Sequence, residues 1–501
     1  MLKRILIANR GEIAVRVIRT CKEMGIESVA VFSDADRFSP HVILADMAFP
    51  IGLPVSSESY LNMDKILDVA IKLKADGIHP GYGFLSENTE FAEKISGKKL
   101  RWIGPPPKAM KILGDKVSAR NLARKLSIPL VPGSNDPIST VSEAVKDSKS
   151  IGYPVLVKAA GGGGGKGMRI INSSDEMKNA FKRAVSESKS SFRDGTVFIE
   201  KYIPEARHIE IQVLADSFGN VVVFTERECS IQRRYQKIIE ESPSPLIDRS
   251  LWEKMADDAS KLIQKASYTG AGTVEFIVDE NKQYYFLEVN TRLQVEHPVT
   301  EMLTGIDFVK EQIKIACNEN ISITQKKMTP RGHSIECRIY AEDGFLNFIP
   351  STGKIHELHI PDGLGIRFDG GVIVGQPVTP YYDPLLGKLI TWGNNRNEAL
   401  NRMKRALTEC RIAGVDTTVP FCLSVLNHSQ FEKGNYNTHF IQEKMKTLLI
   451  NPEQSNDWEK NIASVTAALH KDRVMEDHSK NHRKKVRLSS WKHTGREEEL
   501  R

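Results

Sequence analysis

The chain has 501 residues, of which 40% are hydrophobic and 27% are charged, and its formal net charge is +7. This composition is that of an ordinary globular protein, and the length predicts two to four domains rather than one hydrophobic core. No apolar run is long enough to cross a membrane, and much of the excess positive charge lies in NHRKKVR at 481–487, so that neither a membrane nor a nucleic-acid partner is expected.

The cysteines and the start of the chain both indicate a reducing, cytoplasmic location. The six cysteines form no CxxC pair, which argues against a zinc site or a disulfide framework. The first apolar run is interrupted by charges at Arg10, Glu12 and Arg16. These charges make the segment a first strand and helix rather than a signal peptide.

The first hundred residues are predicted to form a parallel α/β unit. Residues 3–8 have the pattern of a strand, residues 13–24 carry an apolar stripe at helical spacing, and residues 28–32 have the pattern of a second strand. Strand, helix and strand at this spacing predict a βαβ unit with parallel strands. A further helix is predicted over 62–77, and the consecutive prolines in RWIGPPPKAM (101–110) end the unit.

The middle of the chain contains the glycine-rich stretch AAGGGGGKGM at 159–168. It lies between two apolar runs, PVLVKAA and MRIIN, which predicts a hairpin with a glycine tip. Glycine lets the backbone approach a ligand closely, and its N–H groups can surround an anion. The tract does not match the phosphate-binding motif G-x-x-x-x-G-K-[ST]. A flexible loop without a ligand is the alternative.

The remaining elements alternate between strand and helix patterns. A helix is predicted over 115–130, and after about residue 451 the pattern is lost, apart from a helical stretch near IASVTAALHKD. The other elements are strands within 208–226, a helix at 252–270, two strands joined by a tight turn at 272–290, strands at 333–342 and 385–393, and a helix at 397–414.

The predicted strand pair at 272–290 carries Glu275, Glu288 and Asn290. Residues on one face of an antiparallel hairpin bring their side chains together. Two carboxylates and an amide oxygen are ligands that suit Mg²⁺ shared with phosphate oxygens. Solvated strand residues are the alternative, although the apolar neighbours suggest partial burial, which favours a bound cation.

The segment NTRLQVEHPVTE, residues 290–301, follows the proposed metal ligands directly. Arg292, Gln294 and Glu296 alternate, so that they share one face if the segment is extended. A guanidinium, an amide and a carboxylate suit a small planar oxyanion together with a general base. A polar strand face is the alternative.

Several lysines lie in apolar or glycine-rich surroundings, namely Lys116, Lys158, Lys201 and Lys237. Lys158 lies within a buried strand pattern, where a lysine needs an anionic partner. For any one of them, and for Lys166 in particular, a surface position is the alternative. Taken together, the lysines, the glycine loop and the carboxylate pair indicate a nucleotide–metal site. His208 and Arg338 lie in strand-like segments, and a residue of this kind taken alone is more often structural than catalytic.

Seven motifs, in order over roughly residues 1–445, together resemble the biotin carboxylase family of ATP-grasp enzymes. They are IANRGEIAVRVIR, HPGYGFLSEN, GDKVSAR, KAAGGGGGKGMR, ECSIQRRYQK, EVNTRLQVEHPVTE and GHSIECRIYAED. The resemblance implies an α/β protein with a pre-ATP-grasp parallel-sheet domain (1–114), an ATP-grasp domain (115–330) with a mobile lid at about 131–203, a C-terminal biotin carboxylase domain (331–446) and a charged basic extension (447–501).

The resemblance also implies the reaction. ATP, with Mg²⁺ or Mn²⁺ (two ions), and bicarbonate would carboxylate biotin through carboxyphosphate. The chain contains no A/V-M-K-M biotinylation motif, so biotin is expected as a substrate on a separate biotin carboxyl carrier protein. A homodimer is expected as well, together with a carboxyltransferase subunit.

Site residues follow from the resemblance, position by position. Catalysis would fall to Glu296 as the base for bicarbonate, Lys237, Arg292 and Arg338, the last of which would stabilise the biotin anion. Bicarbonate would bind Arg292, Gln294 and the backbone of Val295, and the metal would bind Glu275, Glu288 and Asn290. The ATP-binding set would be Lys116, Lys158, Gly163, Gly164, Gly165, Lys166, Gly167, Glu200, Lys201, Ile203, His208, Gln232, Glu275 and Glu288.

Two positions depart from many relatives. Lys166 stands where an arginine is common, which keeps the charge but loses the planar fork, and Tyr235 stands where a histidine is common.

The final acceptor is left open by the sequence. An acetyl-CoA or propionyl-CoA carboxylase is preferred over the biotin-carboxylating half of a two-subunit pyruvate carboxylase. Another ATP-grasp carboxylating ligase and a non-catalytic nucleotide-binding scaffold are more remote alternatives. The segment RLQVEHPVTE, which would supply the bicarbonate base, argues against another ATP-grasp ligase. The complete set of site residues argues against a non-catalytic scaffold.

Overall fold

The computed structural model describes residues 2–134, 137–159, 169–192, 196–325, 330–448 and 466–467. Residues 1–449 form one compact unit. Across the described part of the chain, no helix has the length and apolar character needed to span a bilayer. The predicted glycine loop, with Gly163, Gly164, Gly165, Lys166 and Gly167, lies outside the described residues, as does nearly all of the helical stretch predicted near 462–472.

The chain begins with a five-stranded sheet in which every strand pair is parallel, in the order β3-β2-β1-β4-β5. This confirms the predicted parallel α/β unit. The strands are β1 (Arg4–Ile7), β2 (Glu27–Ser33), β3 (Met47–Gly52), β4 (Gly77–His79) and β5 (Arg101–Trp102). The helices are α1 (Gly11–Glu23), α2 (Pro40–Leu44), α3 (Met63–Lys72) and α4 (Thr89–Ser96).

Two helices, α5 (Pro107–Gly114) and α6 (Lys116–Lys125), connect this sheet to the rest of the unit. The prolines after β5 end the strand as expected, but Pro107 also begins α5, because a proline at the first helical position loses no hydrogen bond. The helices predicted over 62–77 and 115–130 are shorter than predicted. Lys74 and Ser127 adopt left-handed backbone angles just beyond the last helical residues, which stops the helical hydrogen bonding.

A small antiparallel sheet, in the order β7-β6-β8, packs against two helices. Its elements are α7 (Val141–Ile151), β6 (Val155–Ala159), β7 (Arg169–Ile171), α8 (Ser174–Phe192) and β8 (Val197–Lys201). Strands β6 and β7 flank the glycine-rich stretch and pair antiparallel, which confirms that the two apolar runs form a hairpin.

A nine-stranded sheet among the described residues forms the centre of the unit, in the order β14-β13-β9-β11-β12-β15-β22-β20, with β10 beside β9. Its first part consists of β9 (Arg207–Ala215), β10 (Val221–Val223), β11 (Arg227–Arg233), β12 (Gln236–Ser242), β13 (Gly270–Val278) and β14 (Tyr284–Asn290). The helices here are α9 (Arg249–Lys265), α10 (His297–Thr304) and α11 (Phe308–Ala316). The hairpin predicted at 272–290 is the pair β13 and β14.

The remaining strands extend the central sheet or form two-stranded ribbons. They are β15 (His333–Tyr340), β16 (Glu342–Asp343), β17 (Ile349–Pro350), β18 (Gly353–Lys354), β19 (Glu357–His359), β20 (Ile366–Gly370), β21 (Pro377–Val378), β22 (Leu385–Gly393) and β23 (Arg411–Ala413). The last helices are α12 (Arg396–Glu409), α13 (Val419–Leu426), α14 (Ser429–Glu432) and α15 (Phe440–Leu448).

The central sheet has a different environment on each side of β12, β15 and β22. Ile239, Cys337 and Leu389 point into an apolar core beneath α12 and α13. The opposite face of the same strands carries buried charged residues, among them Glu240, Arg338 and Lys388. Because side chains alternate along a strand, this second face forms a charged layer one residue away from the core.

Candidate active site

A cavity of about 830 Å³ opens beside the charged face of the central sheet. Fifteen of the residues named from the sequence line it: Lys116, Lys158, Glu200, Lys201, Ile203, His208, Gln232, Lys237, Glu275, Glu288, Asn290, Arg292, Gln294, Val295 and Arg338. The fold therefore collects into one space residues that lie more than 200 positions apart in the chain.

The hairpin acids meet as the alternation predicts. Glu275 on β13 lies directly opposite Glu288 on β14, and the Asn290 amide donates to Glu275 Oε1 at 2.7 Å. Glu288 pairs with Lys116 at 2.9 Å. Burial disfavours the charge of Glu275, but Lys237 and His208 outweigh burial and hold the pKa of its carboxyl far below the usual range.

Lys237, on β12, is the cation at the centre of the site. Its Nζ donates to Glu275 at 3.1 Å and to Glu296 at 2.8 Å, and it also pairs with Glu210. Burial opposes its charge, but Glu275 and Glu296 outweigh burial and raise the pKa of Lys237. One ammonium therefore joins the hairpin acids to the proposed base.

Glu296 is fully buried and lies immediately before α10. Burial raises the pKa of a carboxyl, but Lys237 and Arg338 outweigh burial here and hold the pKa of Glu296 well below its usual range. Its Oε2 accepts from Arg338 Nη2 at 2.9 Å. The carboxylate is thus charged, held between two cations, and lies behind the residues that line the cavity.

The expectation that Arg292, Gln294 and Glu296 alternate on an extended segment is wrong. β14 ends at Asn290, and Glu296 has φ −82° and ψ 11°, in a turn that leads into α10. The Arg292 guanidinium still reaches Gln294 Oε1 at 3.1 Å. The turn therefore keeps the first two residues together at the cavity, whereas Glu296 turns inward to Lys237 and Arg338.

Arg292 lies at the edge of the cavity with its guanidinium held in place. Its Nε donates to Glu87 at 3.1 Å, and its Nη2 donates to Asn290 at 3.2 Å. Glu87 belongs to the loop HPGYGFLSEN at 79–88. This contact links the loop of the parallel sheet to the turn after the hairpin of β13 and β14.

The other end of the cavity carries the residues predicted to bind nucleotide. Lys158 on β6 pairs with Glu200 on β8, as its position in a buried strand predicts, and Arg120 on α6 donates to the same carboxylate. Lys201 donates to the carbonyls of Gly152 and Tyr153 at 2.9 and 3.0 Å. These contacts fix two lysines and an acid where the small sheet meets the central sheet.

Two buried acids of the site are absent from the sequence predictions. Glu210 lies on β9, two residues from both His208 and Gln212 in the sequence. It accepts a hydrogen bond from Arg227 and forms an ion pair with Lys237. Glu240 lies on β12 and accepts from Arg338 Nε at 2.6 Å. The signal that could have found them is their position inside strands with apolar neighbours, since a buried carboxylate needs a cation.

The donor set at the hairpin fits a hard divalent cation. Glu275, Glu288 and Asn290 offer carboxylate and amide oxygens, the ligand type of Mg²⁺. Within the described residues, His208, Glu210 and Glu275 also place one ligand atom each within 4.8 Å of one another, as do Glu210, Cys229 and Glu296. Glu275 thus belongs both to the predicted set and to a neighbouring buried group.

A parallel-sheet unit, a small sheet beside a nucleotide-sized cavity and a carboxylate hairpin define the ATP-grasp class of ligases. Three family models match in order: the biotin carboxylase N-terminal domain over 1–110, the carbamoyl-phosphate synthase L chain ATP-binding domain over 115–324, and the biotin carboxylase C-terminal domain over 336–443.

Known proteins resemble the chain over most of its length. It is 51% identical to a biotin carboxylase of Nostoc sp. over 88% of this chain and 99% of the relative. It is 48% identical to a pyruvate carboxylase subunit of Methanothermobacter thermautotrophicus over 88% of this chain and 90% of the relative.

A solved structure has the same fold. It is the biotin carboxylase domain dimer of Hydrogenobacter thermophilus 2-oxoglutarate carboxylase, in complex with MgADP, ADP and bicarbonate. The TM-score is 0.86 at 43% identity, over 89% of this chain and 99% of that one. The chain therefore belongs to the biotin carboxylase family, whose reaction is the ATP-dependent carboxylation of biotin.

Proposed function

We propose that this enzyme carboxylates biotin on a separate carrier protein, as the first half-reaction of an acyl-CoA carboxylase. The observation that supports this best is the buried Glu296 carboxylate, which is held between Lys237 and Arg338 and is linked through Lys237 to Glu275 of the hairpin. A charged base behind the residues that line the cavity, together with two cations and a proposed metal-ligand set that line it, suits the activation of a small oxyanion by a nucleotide.

The nucleotide half of the site is assigned to the lysines and the hairpin. Lys116, Lys158, Glu200, Lys201, Ile203, His208 and Gln232 are proposed to bind ATP, and the loop at 163–167 is proposed to close over its phosphates. Glu275, Glu288 and Asn290 are proposed to hold Mg²⁺ or Mn²⁺. When bound, the metal neutralises the charge of the phosphate oxygens.

The bicarbonate half is assigned to the turn after β14. Arg292, Gln294 and the Val295 backbone are proposed to bind bicarbonate, and Glu296 is proposed to accept its proton. The oxygen freed of its proton then attacks the γ-phosphorus, and ADP leaves. Lys237 lies between both halves, where it can offset the charge of the phosphoryl group as carboxyphosphate forms. The anhydride breaks down in water, so a closed cavity favours productive transfer.

Arg338 is assigned to biotin. Carboxyphosphate decomposes to CO₂ and phosphate, and the phosphate can take the N1′ proton of biotin as the nitrogen attacks CO₂. Negative charge then develops on the ureido oxygen, where a guanidinium stabilises it. Arg338 lines the cavity beside Tyr340, a position that supports this role.

The acceptor is proposed as acetyl-CoA or propionyl-CoA, through a separate carboxyltransferase subunit. The second candidate is the biotin-carboxylating half of a two-subunit pyruvate carboxylase, which the 48% identical relative favours. A homodimer is proposed, in keeping with the dimer of the Hydrogenobacter protein. The six cysteines are all free thiols, which supports a cytoplasmic location.

The experiment that tests the proposal is an ADP-release assay on the purified chain with MgATP and bicarbonate, with and without free biotin. Biotin is expected to stimulate ADP release and to become carboxylated in step with it. ADP release that is indifferent to biotin would contradict the proposal, and the same assay with glutamine or ammonia in place of biotin would detect another ligase.

A further inference from the structure

Arg338 makes more contacts than its proposed role with biotin requires. Its Nε donates to Glu240 Oε1 at 2.6 Å, and its Nη2 lies 2.6 Å from the same oxygen and 2.9 Å from Glu296 Oε2. The remaining nitrogen, Nη1, has a long contact of 3.4 Å to the Tyr340 hydroxyl. Two carboxylates thus fix one edge of the guanidinium, and Nη1 is left beside a residue that lines the cavity.

Glu240 does not line the cavity and has no solvent exposure. It lies on β12, directly opposite Glu336 on β15. Its second oxygen, and both oxygens of Glu336, have no hydrogen-bond partner within the described residues. Two buried carboxyl groups at adjacent strand positions cannot both ionise at low cost, because like charges repel strongly away from water.

The ion-pair geometry decides which of the two acids is charged. Glu240 shares its Oε1 with two nitrogens of Arg338, whereas no ion pair joins Glu336 to a cation among the described residues. Burial raises the pKa of both carboxyls, well above the usual range for Glu336, and nearby cations oppose that rise at each of them. The ion pair with Arg338, which only Glu240 makes among the described residues, therefore marks Glu240 as the charged acid and Glu336 as the neutral one.

We propose that Glu240 is a positioning residue for biotin carboxylation, which holds the Arg338 guanidinium so that Nη1 meets the developing charge on the biotin ureido oxygen. This inference rests on the proposed function. Glu240 also competes with Glu296 for Arg338 Nη2. If Glu240 lost its charge, the Arg338 guanidinium would turn towards Glu296, the other carboxylate within reach, and away from biotin.

The test compares Glu240→Gln with the matched control Glu336→Gln, which alters the facing acid but removes no hydrogen bond or ion pair of Arg338. Glu240→Gln is expected to lower kcat/KM for biotin by about 10- to 100-fold, the effect of a lost charged hydrogen bond. Bicarbonate-dependent ADP release without biotin should fall by much less. Glu336→Gln should behave like the parent enzyme in both assays.

A double-mutant cycle with Arg338→Lys separates positioning from a structural role. If Glu240 acts through Arg338, Glu240→Gln should add little to the loss caused by Arg338→Lys. Additive losses, an equal loss in both assays, or an equal effect of Glu336→Gln would each overturn the inference. If Glu240→Gln is insoluble, Glu240→Asp keeps the charge but retracts it by one methylene, and it should show the same selective loss.

Measurements on the parent enzyme distinguish failure of the proposed function from failure of the positioning role. If biotin does not change the rate of ADP release by the parent enzyme, the proposed function is overturned, regardless of the result for the Glu240 variants. If biotin stimulates the parent and Glu240→Gln equally, only the positioning role is overturned.

Discussion

Glu296 is charged although it is completely buried, because Lys237 and Arg338 supply two cations within 2.9 Å. Such a carboxylate is a weak base while both cations hold it. Bicarbonate bound at Arg292 and Gln294 would bring the proton to be removed and a negative charge that competes for those same cations. The base would then gain strength only when its substrate is present.

Glu296→Gln keeps the shape of the side chain and removes the base. We expect turnover with biotin to fall by about 100-fold or more, because a positioned general base contributes that much. The dissociation constant of ATP should change little, since Glu296 does not line the cavity. Steady-state ADP release and nucleotide titration check the two values, and a large rise in the ATP dissociation constant would contradict the assignment.

Arg338→Lys keeps a positive charge but removes the planar fork that holds Glu240 and Glu296 together. Biotin carboxylation is expected to fall more than biotin-independent ATP cleavage, because only the first needs a guanidinium beside the ureido oxygen. Carboxybiotin formation measures the first rate, and ADP release in a reaction without biotin measures the second. Equal losses would show that Arg338 serves the bicarbonate step as much as the biotin step.

Among the elements, β12 carries buried carboxylates on both faces of the sheet, Glu240 on one and Glu241 on the other. On the core side, Glu241 accepts from His333 of β15 at 2.6 Å and from Arg396 at 2.7 and 2.9 Å, and Tyr436 donates to it as well. Burial opposes the Glu241 charge, but His333 and Arg396 outweigh burial and lower its pKa from 4.5 to about 2. This acid anchors α12, through Arg396, and the segment after α14, through Tyr436, to the sheet.

Because the pKa of Glu241 is lower in the folded state, its contribution to stability is fully present above pH 4.5 and is lost as the pH falls from 4.5 towards 2. Glu241→Gln should therefore cost about 3 kcal/mol at pH 7, and the difference should shrink below pH 4.5. Urea unfolding of both proteins at a series of pH values measures this difference in the free energy of unfolding. The exposed Glu319→Gln is the control, and a constant difference down to pH 3 would disprove the linkage.

Lys388 on β22 is a buried cation on the opposite face of the same sheet. Its Nζ donates to the Val295 carbonyl at 2.8 Å and lies 3.2 Å from Glu12 of α1. Lys388→Met should cost about 3–5 kcal/mol in urea unfolding, because it leaves a buried carbonyl and carboxyl without their cation. Lys111→Met, at an exposed ion pair with Glu93, should cost less than about 1 kcal/mol. Equal losses of stability in the two variants would mean that Lys388 is not needed to stabilise the buried Val295 carbonyl and Glu12 carboxyl.

Local patterns are sufficient to predict the hairpin of β13 and β14, since its alternation and tight turn lie within about twenty residues of one another. The turn at 292–296 escapes such a prediction because alternation alone does not distinguish a strand from a turn that enters a helix. Glu210 and Glu240 escape it because their partners, Lys237 and Arg338, lie 27 and 98 positions away. These contacts arise from the strand order of the central sheet, in which β12 pairs with β15. No local sequence pattern predicts that order.

At the scale of the whole molecule, the cavity draws residues from the first sheet, the small sheet and the central sheet, from Asn9 to His439. No part of the unit holds the site alone. The roles of the glycine loop at 163–167 and of the basic extension after residue 446 stay predictions, because the loop and nearly all of the extension lie outside the described residues.

The proposed function requires a separate protein that carries the biotin. A tagged chain returned to its native source should therefore capture a biotinylated protein together with a carboxyltransferase. The captured complex should transfer label from bicarbonate to acetyl-CoA or propionyl-CoA in the presence of MgATP.

Glu296→Gln is the matched control. It should capture the same partner, because the substituted side chain is buried, yet transfer no label. Label passed to pyruvate alone would replace the acyl-CoA assignment with that of a two-subunit pyruvate carboxylase, whereas capture without any biotinylated protein would contradict the separate carrier.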